Sequence, residues 1–97
     1  MKTYCKEDIF KAAKHSLFEY YNLVSKKNNI NEKNLNSITL IGKNSNFDSL
    51  AFVTFIMILD KELKKINFNK NLMFEIQNKN FENLSFKNLV NFIYEIQ

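Results

Sequence analysis

Apolar residues recur along much of this chain in helical rhythm. From Lys6 to Lys27, Ile9, Ala13, Leu17, Tyr20, Tyr21 and Val24 fall at three- and four-residue spacing, which is one face of a long amphipathic helix. Glu7 and Asp8 at its start and Lys26 and Lys27 at its end follow the order that the helix dipole favours. Thr3 is a candidate N-cap, without the glutamate that completes a capping box. The rhythm then lapses from Asn28 to Phe47, an asparagine-rich connection punctuated by Ile30, Leu35, Ile38, Leu40 and Ile41. Connections of this length are uncommon in small domains and usually functional. The apolar residues are expected to pin it across the fold. A short strand fits Ser37–Ile41, but nothing else in the pattern supplies it with a partner.

The densest apolar stretch follows the turn-forming segment Gly42-Lys43-Asn44-Ser45-Asn46. Between Leu50 and Leu59 only Thr54 is polar, and the spacing predicts a helix over Ser49–Ile66. At 100° per residue, Phe52, Phe55, Ile56, Leu59 and Leu63 form one narrow stripe, the expected core face. Leu50, Val53 and Met57 form a second stripe nearly opposite. A helix on the surface of a small fold needs only one such stripe, so either this helix is sandwiched between neighbours or, the expectation favoured for so small a domain, it offers the second face to another protein. Leu72, Met73 and Ile76 support a short helix within Asn67–Asn80. Ser85 is a good N-cap for a last helix whose stripe is Phe86, Leu89, Val90, Ile93 and Ile96. The pattern predicts one all-α domain over residues 1–97. Its expected form is a small antiparallel four-helix bundle with a long loop between helices 1 and 2 and a short third helix.

Composition narrows the function classes. No apolar run reaches the length of a membrane span, and the first residues lack the apolar segment of a signal peptide. One cysteine, Cys5, and one histidine, His15, leave no internal disulfide and no cluster of structural-zinc type. A reducing, cytoplasmic setting is expected. The net charge of +4 suggests nucleic acid only superficially. All 14 basic residues are lysines scattered from Lys2 to Lys87, and Lys, Asn, Ile and Phe supply 50 of 97 residues. All four have A/T-rich codons, so genome bias alone yields the excess. No nucleic-acid partner is expected, because its readers concentrate basic residues on one element.

Candidate chemistry centres on Asp48-Ser49-Leu50. Local sequence alone allows Ser49 to be an ordinary helix-start serine. A hydrolytic role is a poor fit: His15 lies mid-helix, and Asp48, flanking the serine, is badly placed to orient it. His15 reads as a helix-surface residue. Cys5 has no neighbouring motif that would activate it, and no role is expected of it. Glu7-Asp8 and Asp60/Glu62 read as solvated helix charges rather than acid–base pairs.

The chain resembles the acyl carrier proteins and related peptidyl carrier domains. The resemblance rests on Asp48-Ser49-Leu50 and on Val53, Ile56, Met57 and Leu59, followed by Asp60-Lys61-Glu62-Leu63. Leu40-Ile41-Gly42 and the segment Leu84 to Ile93 are similar to the family as well, in the right order and spacing. It implies that Ser49 carries a 4′-phosphopantetheine, transferred from coenzyme A by a magnesium-dependent phosphopantetheinyl transferase. A loading ligase or acyltransferase would then attach cargo as a thioester. The protein would not be an enzyme itself; tethering raises the effective concentration of the cargo at each pathway enzyme. Asp48 would cap the helix and support modification, while Leu50, Val53 and Met57 would meet partners at i, i+3 and i+7. A carrier that visits several enzymes is expected to be a monomer.

The sequence departs from the housekeeping fatty-acid carriers at the docking helix. Thr54 and Lys61 occupy positions that are acidic in those proteins, Lys64 and Lys65 make the helix end more basic, and Ala51 replaces an acid. Phe47 stands where they have a small residue. These changes point to a specialised carrier in a dedicated pathway. An aminoacyl or peptidyl carrier of the same fold is the alternative within this class. Outside it stands an unmodified helical adaptor that docks through Leu50, Val53 and Met57.

Overall fold

The computed structural model describes residues 4–23, 37–43, 45, 47–66 and 68–97. Six elements follow in chain order: α1 (Lys6–Leu23), β1 (Thr39–Ile41), α2 (Ser49–Lys65), α3 (Leu72–Lys79), β2 (Leu84–Ser85) and α4 (Phe86–Ile96). Among the described residues the protein is mostly helical, with one small two-stranded sheet. Several sequence expectations lie outside the described residues: the Thr3 cap, the Val24–Lys27 end of the first helix, most of the following connection, and Asn44 and Asn46 of the turn.

Each helix buries most of the stripe that its sequence predicts, while Tyr21, Met73 and Ile96 are only half-buried. On α1, Ile9, Ala13, Leu17 and Tyr20 are buried, and on α4, Phe86, Leu89, Val90 and Ile93. On α2 the buried set is Phe55, Ile56, Leu59 and Leu63, with Phe52 half-buried at the edge of the stripe. Thr54 satisfies its hydroxyl internally by donating to the Leu50 carbonyl at 2.9 Å. The helix α1 packs on α2 and on α4, and α2 packs on α3. An edge-to-face contact between Phe10 and Phe86, with ring centroids 5.6 Å apart, joins α1 to the start of α4. The side-chain amide of Gln97 accepts from the Tyr4 N–H at 2.9 Å and donates to the Tyr4 carbonyl at 2.7 Å, tying one end of α1 to the end of α4.

Side-chain caps fix where the helices begin. Asn71 accepts from the Phe74 N–H at 3.0 Å, and Ser85 accepts from the Asn88 N–H at 3.1 Å. Asn80 ends α3 in the left-handed conformation, φ 55°, which Asn tolerates better than most residues. Asp60 is more than a solvated helix charge. It pairs with Lys64 at 3.3 Å and accepts from the Leu72 N–H at 3.3 Å, so α2 holds the first amide of α3.

The strand at Thr39–Ile41 does have a partner. β2 pairs antiparallel with β1, matching Thr39 with Ser85 and Ile41 with Leu84 across an irregularity. The Phe86 N–H donates to the Ile38 carbonyl at 2.8 Å and extends the pairing into α4. The sheet buries Leu40 and Leu84, each 1% exposed, so it roofs the helical core rather than standing apart from it. Gly42 leaves β1 at φ 140°, where an L side chain is strained. A Cβ there would also lie 2.8 Å from Asn83 Oδ1.

Candidate functional site

The approach to Ser49 is held by short-range hydrogen bonds around Ser45. Its Oγ lies within 2.9–3.1 Å of the carbonyl oxygens of Thr39, Leu40 and Phe47, three acceptors for one hydroxyl proton. The same Oγ accepts from the Phe47 N–H at 3.0 Å, and the Ser45 N–H donates to the Gly42 carbonyl at 3.2 Å. This pins the end of β1 to the residues that open α2. Phe47 completes the hold. It is buried, stacks on Tyr20 with ring centroids 5.5 Å apart, and meets Phe55 at 6.0 Å and Tyr21 at 6.4 Å. The large residue before Asp48 is therefore a core residue that anchors the start of α2 against α1.

The helix start has the geometry its residue types suggest. Asp48 is extended, φ −81° and ψ 179°, and its Oδ1 accepts from the Ala51 N–H at 2.7 Å. Its backbone carbonyl takes the Phe52 N–H at 2.9 Å. Ser49 is the first helical residue and is exposed. The amides of Ser49 and Leu50 precede any residue that could accept from within the helix, so this end favours an anion. Burial and, secondarily, the charge of Asp48 raise the pKa of Tyr20 above its ordinary value of 10.0. The Tyr20 side chain thus stays neutral beside the candidate site at physiological pH.

The second apolar stripe is open to solvent. Leu50 is 76% exposed, Val53 40% and Met57 57%. Lys61 is exposed on the same helix, one turn beyond Met57. Lys64 and Lys65 are offset by carboxylates of their own helix, Lys64 by Asp60 and Lys65 by Glu62 at 3.1 Å. The basic character of this helix end therefore falls mainly on Lys61. Beside Ser49 runs an open groove of about 360 Å³, lined by Leu40, Ile41, Phe52, Val53, Met73 and Ile76 among others. That volume is at the lower end for small-molecule sites.

Sequence-predicted residues Asp48, Ser49, Leu50 and Val53 are thus gathered at one end of α2, with Met57 and Lys61 further along it. His15 is elsewhere. It faces Glu19 and Glu62, and Glu62 is about 20 Å along α2 from Ser49 at 1.5 Å per residue. Among the described residues no histidine reaches Ser49, so the arrangement offers an accessible primary hydroxyl rather than an activated nucleophile. Sequence reasoning missed Ser45, Tyr20 and Phe47 as site residues. The signals available were the Ser45-x-Phe47 spacing of a local hydroxyl turn and the crowding of aromatics at the end of the first helix and before Asp48.

No family model, curated protein or solved structure matches the chain. Among the described residues, no helix is long and apolar enough to cross a membrane.

Proposed function

We propose that the protein is an acyl-carrier-type protein, modified at Ser49 with 4′-phosphopantetheine and presenting thioester-bound intermediates to partner enzymes of a dedicated pathway. In this reading α1, α2, α3 and α4 are the four members of an antiparallel carrier bundle. The observation that carries the proposal is the state of Ser49. It is an exposed hydroxyl on the first turn of a capped helix, at the mouth of a largely apolar groove and beside an exposed apolar face.

The chemistry asks little of the protein beyond this arrangement. Ser49 Oγ would lose its proton and bond to the pantetheine-side phosphorus of coenzyme A as the pyrophosphate bond breaks and adenosine 3′,5′-bisphosphate leaves. The phosphodiester formed would place its anion at the positive end of α2, near amides that have no helical acceptor. Asp48 fixes the first turn, so the attached arm starts from a defined point. The groove offers apolar surface within reach of that arm. Leu50, Val53 and Met57 offer a partner anchors on the same face, and the exposed Lys61 favours an acidic patch beside that partner's groove. The cargo is set by the loading enzyme, acyl or aminoacyl alike.

An unmodified adaptor would use the same exposed stripe, and its exposure is the observation that favours that second reading. One experiment separates the two. The protein is incubated with coenzyme A, magnesium and a broad-specificity phosphopantetheinyl transferase, and intact mass is measured. The carrier reading expects a single phosphopantetheine adduct that Ser49→Ala abolishes. No adduct, or one that persists in Ser49→Ala, rejects it and leaves the adaptor.

A further inference from the structure

Away from Ser49, α1 and α2 bring three metal-ligating side chains into one cluster. His15 and Glu19 are four residues apart on α1 and so share a face, while Glu62 comes from α2. His15 Nε2 lies 3.2 Å from Glu19 Oε1 and 3.9 Å from Glu62 Oε1, and the three donor atoms all lie within 4.8 Å of one another. Zinc bonds of about 2.0–2.2 Å in a tetrahedral site set neighbouring donors roughly 3.3–3.6 Å apart. One edge of that figure is already short enough, and side-chain rotation of the two glutamates can close the others. Glu62 is no loose surface carboxylate, with its side chain only 16% exposed. Beside the cluster lies an open cavity of about 560 Å³, reached by Tyr4, Asp8, Lys11, His15, Glu62 and Lys65, which leaves a remaining coordination position accessible to water.

We propose that His15, Glu19 and Glu62 form a binding site for a divalent transition metal of the zinc class, which clasps α1 to α2 at the end remote from Ser49. One imidazole nitrogen and two carboxylates suit that class better than magnesium or calcium, which prefer all-oxygen shells. Glu62 is far from the other two donors in sequence, so the complete site exists only in the folded chain and binding is linked to folding. The resident competitor is Lys65, whose Nζ is 3.1 Å from Glu62 Oε1. The metal must take this carboxylate from the lysine.

The test is calorimetric titration of metal-free protein with Zn²⁺ alone, with melting temperature followed in parallel and Co²⁺ absorption reporting the ligand field. One saturable ion per chain is expected, together with a higher melting temperature. His15→Gln and Glu62→Gln should each weaken binding by at least roughly tenfold, the scale on which lost metal-site partners act. Lys65→Ala should tighten it, which a merely structural ion pair would not do. His15 is largely exposed, so His15→Gln keeps the fold and carries the test alone if Glu62→Gln does not. Absence of saturable binding at millimolar Zn²⁺ overturns the proposal. So does binding that survives His15→Gln and vanishes in Cys5→Ser, because Cys5 and Asp8 form a separate donor pair with Sγ 3.3 Å from Oδ2. None of these outcomes depends on Ser49 being modified.

Discussion

Truncating Phe47 tests whether the serine-bearing helix is anchored as described. In Phe47→Ala the ring leaves a pocket bounded by Tyr20, Tyr21 and Phe55, with centroids 5.5, 6.4 and 6.0 Å away. Phe→Ala substitutions in cores cost about 3–5 kcal/mol, as lost transfer energy plus an unfilled cavity. Phe47 is 8% exposed and borders solvent, so the low end, about 3 kcal/mol, applies. A domain of this size has about 5–15 kcal/mol in total, so the loss is large. It corresponds to roughly 12–24 °C in melting temperature at about 4–8 °C per kcal/mol. Urea unfolding followed by circular dichroism reads it as a lower midpoint with an unchanged slope. Phe47→Leu, which keeps most of the apolar volume, should lose less than half as much. A double-mutant cycle with Tyr20→Ala should return a coupling of about 0.5–1.5 kcal/mol for the stacked pair. A loss below about 1 kcal/mol for Phe47→Ala, or equal losses for Ala and Leu, would show that Phe47 is not an anchor.

Two further outcomes follow from the same geometry. Met57→Glu is expected to change stability by no more than about 0.5 kcal/mol, because the side chain is exposed and the new carboxylate precedes Lys61 by one helical turn. Loading or partner turnover should nevertheless fall, and unchanged kinetics with every cognate partner would remove the docking face. The folded state holds the Tyr20 proton more tightly than the unfolded chain, so the associated stability is complete below pH 10.0 and is lost as pH rises from there through the folded value. Urea midpoints should therefore fall more steeply above pH 10 in the wild type than in Tyr20→Phe, and parallel curves would contradict the assigned environment.

What could be read from sequence was local, and what could not was assembled from distant pieces. The start of α2 was legible because Asp48 is a strong cap and the stripes behind it are periodic. Ser85 opened α4 for the same reason. The exposed set Leu50, Val53 and Met57 could be named because one helix cannot bury two opposite stripes against a single neighbour. The sheet was not legible, since β2 has two residues, too few for alternation, and its partner lies more than forty residues earlier. Phe47 read as an oddity in a loop because its burial depends on Tyr20 and Tyr21 from α1. His15 read as an isolated surface residue because Glu62, its neighbour across the helix interface, is on another element.

The exposed stripe also bears on which proposed function is the better one. Fully burying a Leu, Val or Met side chain gains about 1.5–3 kcal/mol. Scaled by exposures of 76%, 40% and 57%, docking these three side chains yields about 3–5 kcal/mol. Association itself costs an estimated 4–15 kcal/mol in lost freedom. The stripe alone is therefore too small for a lasting complex, and an adaptor would need a further interface to hold its partner. A carrier needs the opposite property. Its specificity comes from a tethered substrate entering the partner's active site, and its face must release once the reaction is over. A weak apolar stripe followed by the exposed Lys61, rigidly backed by Phe55, Ile56 and Leu59, fits the transient role better than the permanent one.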